Sequence, residues 1–214
     1  ERPYTDYETG RFSFSSDSSR VIYEVEKEGK HLLVLQDFAL DEEREIELPY
    51  TRTGRFDFSP DGEKIAYIAT KEGRHFLVVS PWKSPAQGKE GGPYEGIVPA
   101  IFSPDSKAVA YLAMKEGKWR IVVGDKEGAA NYDSIGDAPV FSHDGAKIAY
   151  PAMKNGKWFM VISHASDPAK VKEGPAYDMV ISPIFSPDGS KLIYRARRGT
   201  QKKAERFIVI ADKD

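Results

Sequence analysis

The chain has 214 residues, a formal net charge of −2 and no cysteine, with 40% hydrophobic and 30% charged residues. This excludes a disulfide framework, a thiolate metal site or nucleophile, and any global attraction to nucleic acid. No apolar run approaches the ~18 residues a membrane-spanning helix needs, so membrane insertion is not expected.

Pro3-Tyr4 opens the chain, and Phe14-Ser15-Ser16-Asp17 introduces a pattern that organises the rest. It returns as Phe58-Ser59-Pro60-Asp61, Phe102-Ser103-Pro104-Asp105, Phe141-Ser142-His143-Asp144 and Phe185-Ser186-Pro187-Asp188. The anchor Phe residues are 44, 44, 39 and 44 residues apart, and each is followed by a Tyr: Tyr23, Tyr67, Tyr111, Tyr150 and Tyr194. A fixed period of this size marks a repeat architecture.

Each unit reads as four short strands. The first runs into the anchor: 11–15, 55–59, 99–103, 138–142 and 182–186. Ser-Pro-Asp-Gly then supplies a type I turn, with Pro presetting φ, Asp accepting backbone bonds and Gly allowing a left-handed exit. A second, β-prone strand ends on the repeated Tyr, and a hairpin follows at Gly29, Gly73, Gly117, Gly156 and Gly199. The third strands, 32–35, 76–79, 120–123, 159–162 and 207–210, are rich in branched and aromatic residues. Lack of strict alternation fits strands covered on both faces. The fourth is assigned to Leu48-Pro49-Tyr50, Gly92-Pro93-Tyr94, Ala130-Asn131-Tyr132 and Pro175-Ala176-Tyr177, because Pro suits an edge strand.

Four-stranded units repeated radially make a β-propeller. The last unit, 181–214, lacks a fourth segment, and Pro3-Tyr4 resembles Pro49-Tyr50. The expectation is one all-β domain over residues 1–214, a five-bladed propeller of four-stranded antiparallel blades. The blades are 10–50, 54–94, 98–132, 137–177 and 181–214, and residues 1–7 close the ring by pairing into the last. The alternative is a fragment of a six- or seven-bladed ring. Glu1 is either a mature N-terminus or a trimmed boundary.

The Phe58 to Tyr67 segment, Phe-Ser-Pro-Asp-Gly-Glu-Lys-Ile-Ala-Tyr, resembles the WD-like repeats of TolB-type propellers and the N-terminal propellers of dipeptidyl-peptidase-like proteins. The sequence departs from the first in having five units rather than six and no appended N-terminal domain. It departs from the second in having no hydrolase domain or nucleophile elbow, so peptidase activity does not carry over. The resemblance implies a periplasmic, secreted or surface-associated scaffold that binds a partner.

Three constellations are candidate sites. The hairpins 27–30, 71–74, 115–118 and 154–157 are basic, and the fifth is longer, with Arg195, Arg197, Arg198, Lys202 and Lys203. They form either a docking face for an anionic partner or a solvated rim. His31, His75, Trp119 and Trp158 occupy equivalent positions after the first four hairpins. Their aromatic rings beside cations suit either sugar stacking or packing between blades. The inner-strand entrances carry Arg11 and Arg55, with Asp57, Asp137 and Glu8 nearby. Paired arginines there either clamp a carboxylate or phosphate, or are neutralised in place.

Glycoside hydrolysis needs two suitably spaced carboxylates, and among the inner-strand equivalents Asp57 is acidic while Ser13, Ile101, Val140 and Ile184 are not. The expected function is therefore a non-catalytic, monomeric module for a protein partner, without cofactor or metal. Polysaccharide binding and glycosidase activity at Asp57 are the competing readings. The turn aspartates Asp17, Asp61, Asp105, Asp144 and Asp188 recur in every unit, as residues required by the fold do.

Overall fold

A computed structural model describes residues 12–27, 29–50, 52–128, 132–200 and 203–212. It is built from antiparallel β-sheets, with one short 3-10 turn at Pro85–Gln87. Two compact units partition it, Glu1–Pro99 and Ala100–Asp214.

The first unit holds two four-stranded sheets. One comprises β1 (Phe12–Phe14), β2 (Arg20–Lys27), β3 (Lys30–Asp37) and β4 (Glu42–Glu47). The other comprises β5 (Arg52–Phe58), β6 (Lys64–Lys71), β7 (Arg74–Pro81) and β8 (Lys89–Tyr94), and a two-residue strand β9 (Gly96–Ile97) follows. The second unit carries three sheets. The first of these has β10 (Ile101–Phe102), β11 (Val109–Lys115), β12 (Lys118–Val123) and β13 (Lys126–Glu127). The next has β14 (Ser134–Ile135), β15 (Val140–Phe141), β16 (Lys147–Lys154), β17 (Lys157–His164) and β18 (Val171–Glu173). The last has β19 (Met179–Phe185), β20 (Lys191–Arg198) and β21 (Glu205–Asp212), three strands among the described residues.

The repeated turn is one hydrogen-bonded unit used five times. Ser15, Ser59, Ser103, Ser142 and Ser186 donate Oγ–H to Asp17, Asp61, Asp105, Asp144 and Asp188 at 2.5–2.7 Å. Each Asp Oδ1 accepts the N–H two residues on, and each Ser Oγ accepts the N–H five residues on. The serine bonds, followed by the backbone donors, hold Asp17, Asp105 and Asp188 down at a pKa of about 2. The left-handed exit falls on Gly62, Gly145 and Gly189 but also on Ser18 and Ser106, at φ 60° and 61°. Two-residue hairpins join second to third strands, with positive φ at both Glu72-Gly73 and Glu116-Gly117, as type I′ turns require.

The outer strand meets the sequence expectation in the second sheet, where β8 (Lys89–Tyr94) ends on Gly92-Pro93-Tyr94, and departs from it elsewhere. In the first sheet it is Glu42–Glu47, a charged stretch upstream of Leu48-Pro49-Tyr50. The Tyr segments instead return to the start of the third strand, where Tyr132 bridges Trp119 and Tyr177 bridges Trp158. Charge suits an exposed edge better than proline requires it, because it discourages edge-to-edge pairing. The expected pairing of residues 1–7 lies outside the described residues.

Apolar faces pack sheet against sheet inside each unit. In the first, Ile22, Leu33 and Leu35 meet Phe56, Ile65, Tyr67 and Trp82. Trp82, 2% exposed, has the guanidiniums of Arg20 and Arg44 over its ring, 5.5 and 5.6 Å from its centre. In the second, Ala149, Met160 and Ile162 cluster with Val180, Leu192 and Tyr194. Tyr50 Oη donates to Glu90 at 2.6 Å and Tyr132 Oη to Glu173 at 3.0 Å, so the same sheet-to-sheet clasp occurs in both units.

Candidate functional site

The first, third and fourth hairpins largely neutralise themselves, whereas Lys71 and Arg74 of the second form no ion pair among the described residues. Lys27 pairs with Glu45 at 3.2 Å, Lys30 with Glu47 at 2.8 Å, Lys115 with Glu127 at 3.2 Å and Lys157 with Asp178 at 2.6 Å. Lys154 lies 3.6 Å from Glu173, and Lys118 pairs with Asp133. Asp133 also accepts the Asn155 N–H and Asp178 the Gly199 N–H, each at 2.8 Å, fixing the following hairpin. These bonds hold both carboxyls below the usual aspartate range, with the lysine bond the largest cause in each.

The fifth hairpin differs. Arg197 and Arg206 are directly opposite in the β20–β21 register, and Arg195 is opposite Ile208. None of Arg195, Arg197, Lys203 and Arg206 forms an ion pair with a carboxylate among the described residues, and the Arg197 Nε is buried without a hydrogen-bond partner there. Arg198 points its charge elsewhere, over the rings of Tyr177 at 4.9 Å and Phe207 at 5.5 Å. Lys202 is outside the described residues.

Trp119 and Trp158 are half-buried. Each exchanges two backbone hydrogen bonds with its Tyr partner at 2.8–2.9 Å, and Trp158 also packs against the second unit's core. Their position in the last sheet is taken by Arg206. The signal was in the sequence, since Arg206 directly precedes Phe207 as Trp158 precedes Phe159.

Inner-strand candidates sit on interruptions of the strands. The β5–β6 register shifts between Thr53 and Phe56, and the β19–β20 register between Ile181 and Ile184. Bulges of this kind re-aim side chains. Arg55, on the first of them, places Nε 2.9 Å from Asp57 Oδ1. It is thus neutralised within its own strand. Burial pushes the Asp57 carboxyl up, and Arg55 opposes that shift. Asp137 accepts the N–H of Ser182, whose φ is 56°, at 2.8 Å. Arg11 and Glu8 lie outside the described residues. Asp57 belongs to the first unit and Asp137 to the second. Among the described residues no group of three or more His, Asp or Glu side chains is placed to hold a metal, and no helix is long and apolar enough to cross a membrane.

No protein-family model matches the sequence, and no curated protein does. Solved structures do match. TolB from Acinetobacter baumannii is 20% identical over 98% of this chain and 56% of that one, with a TM-score of 0.54. The β-propeller domain of the Trilobed protease from Pyrococcus furiosus, described as having an open velcro topology, is 15% identical over 95% and 69%, at 0.62. Acylaminoacyl peptidase from Pyrococcus horikoshii is 12% identical over 90% and 37%, at 0.54. The chain therefore has a TolB-like β-propeller fold and spans 56% of the length of the Acinetobacter protein.

Proposed function

We propose that this protein is a non-catalytic interaction module that binds a protein partner through the fifth hairpin. The observation that carries the proposal is a group of basic side chains, Arg195, Arg197, Lys203 and Arg206, that form no ion pair among the described residues. Paired surface lysines contribute little, about 0–1 kcal/mol each, and present almost no net field. Arg197 and Arg206 face each other across adjacent strands, a spacing of about 5 Å between Cβ atoms. That is inside the ~8 Å Debye length, so their fields add where those of separate hairpins do not. Like charges directly opposite are unfavourable to the sheet unless an anionic group meets them. Carboxylates of a partner protein supply that group, and guanidiniums bind them bidentately.

The five anchor repeats are then five blades of one propeller. A periplasmic or extracellular setting follows from the TolB-type resemblance. The fold itself leaves function open, because propellers host unrelated activities. Reversing charge with Arg197→Glu and Lys203→Glu is expected to weaken capture of the partner from native extract at least tenfold. Unchanged capture refutes the proposal.

A further inference from the structure

Asparagine occurs twice in this chain, at Asn131 and Asn155, and only the second is followed by glycine. Asn155-Gly156 is the two-residue turn between β16 and β17, at φ 52° and 72°, with Lys154 paired to Lys157 across it. Its neighbours all belong to the second unit. Asp133 accepts the Asn155 N–H at 2.8 Å, Lys154 lies 3.6 Å from Glu173, and Lys157 lies 2.6 Å from Asp178. The backbone of Asn155 is thus anchored, but its side chain is not. Among the described residues neither the Asn155 side-chain amide nor the Gly156 N–H has a hydrogen-bond partner. Both residues are exposed, and a Cβ built on Gly156 would meet nothing within 4 Å.

The Asp-Gly pairs of the repeated turns show the opposite arrangement. Gly62, Gly145 and Gly189 each donate their N–H to the carbonyl of Ser59, Ser142 or Ser186 at 2.8 Å. Asp61, Asp144 and Asp188 each accept the hydroxyl of the same serine at 2.5–2.6 Å. There the side chain and the nitrogen that follows it are both tied down, and a carboxylate resists nucleophilic attack. At Asn155 the side chain is a neutral amide, the residue after it has no side chain to hinder approach, and both groups are free. Intramolecular attack needs only that the two reacting atoms be able to meet.

We infer that Asn155 is a self-modification site, deamidated by attack of the Gly156 backbone nitrogen on its side-chain carbonyl. The nitrogen loses its proton and bonds to Asn155 Cγ. The bond from Cγ to the side-chain nitrogen breaks, ammonia leaves carrying that proton, and a five-membered imide closes. Water then opens the imide at either carbonyl, which leaves aspartate or isoaspartate at position 155. The first product sets a second carboxylate near Asp133. The second adds a methylene to the main chain inside a turn whose length fixes the β16–β17 register. It also displaces the N–H that Asp133 holds, so the fourth hairpin loosens as the protein ages. None of the residues of the proposed binding hairpin takes part.

Incubating the folded protein at mildly alkaline pH tests this, with peptide mapping by mass spectrometry and enzymatic methylation of isoaspartate as readouts. Amide loss is expected at Asn155 ahead of Asn131, Gln36, Gln87 and Gln201, with isoaspartate in the same peptide and a rate that rises with pH. Glu72 and Glu116 already hold a side chain of glutamine's size at this turn position, at φ 52° and 56°, so Asn155→Gln is expected to fold. Its amide loss at position 155 is expected to be slower by about tenfold or more, because the ring it would close is larger. Aged wild type is expected to melt at a lower temperature than fresh protein, and aged Asn155→Gln to keep its midpoint. A folded wild type that retains the Asn155 amide while urea-unfolded protein loses it overturns the inference, since the turn then protects the site. So does equal amide loss at position 155 in Asn155→Gln, or isoaspartate that accumulates without lowering the thermal midpoint.

Discussion

Met160 and Ile208 hold the same repeat position in neighbouring sheets of the second unit, and truncating each to alanine separates environment from chemistry. Met160 is 2% exposed and packs with Ile162, Tyr177, Leu192 and Tyr194. Removing its side chain strands those neighbours around a cavity, at a cost of about 2–5 kcal/mol. Ile208 is 68% exposed. Its truncation costs about 1 kcal/mol or less, most of it strand propensity. Urea denaturation of dilute protein reads the difference as a midpoint shift, with unchanged slopes as the check that both variants unfold alike. Equal losses in Met160→Ala and Ile208→Ala would refute the account of the last sheet, because they would mean that both positions are covered in one chain.

Two further outcomes follow from the turns. Asp17, Asp105 and Asp188 titrate near pH 2 when folded, against an ordinary value of 3.8. The folded state therefore holds fewer protons, and their stabilisation is complete above about pH 4 and lost as pH falls towards 2. Asp188→Asn should flatten the acid limb of a stability–pH curve, and an unchanged limb contradicts the assignment. Glu72 sits at φ 52° in a type I′ hairpin, where Asn155 already occupies the equivalent position at 52°. Glu72→Asn is expected to raise stability by a few tenths to about 1 kcal/mol, seen as a higher thermal midpoint; a fall argues against the turn type.

The anchors, turns and hairpins were legible because each rests on local chemistry repeated five times: Ser to Asp, Asp to backbone, Gly at positive φ. The outer strand was legible only in the second sheet, where Gly92-Pro93-Tyr94 lies in β8. Pro49-Tyr50 looked like an edge, whereas Glu42–Glu47 forms it. A charged edge strand has no strong local signature, and its pairing depends on the strand beside it. Hairpin charge was misleading for a similar reason. Lys30 and Glu47 are distant in sequence but meet across β3 and β4, so a hairpin that reads as cationic in sequence is largely neutral in space. Arg55 and Asp57 could be read together from their spacing, and they do pair. Arg206 was recoverable only by asking what the fifth copy carries where the others have His or Trp. The exposure of Ile208 was not recoverable at all, since its residue type matches buried copies.

The most direct measurement compares two hairpins. Partner capture is quantified for Arg197→Glu/Lys203→Glu and for Lys27→Glu/Lys30→Glu, at two salt concentrations. The fifth-hairpin variant is predicted to lose at least tenfold affinity, and the wild type to weaken with salt. The first-hairpin variant, whose lysines are already paired with Glu45 and Glu47, is predicted to change less than twofold. Equal losses at both hairpins, or none at the fifth, would contradict the claim that unpaired arginines make the binding face.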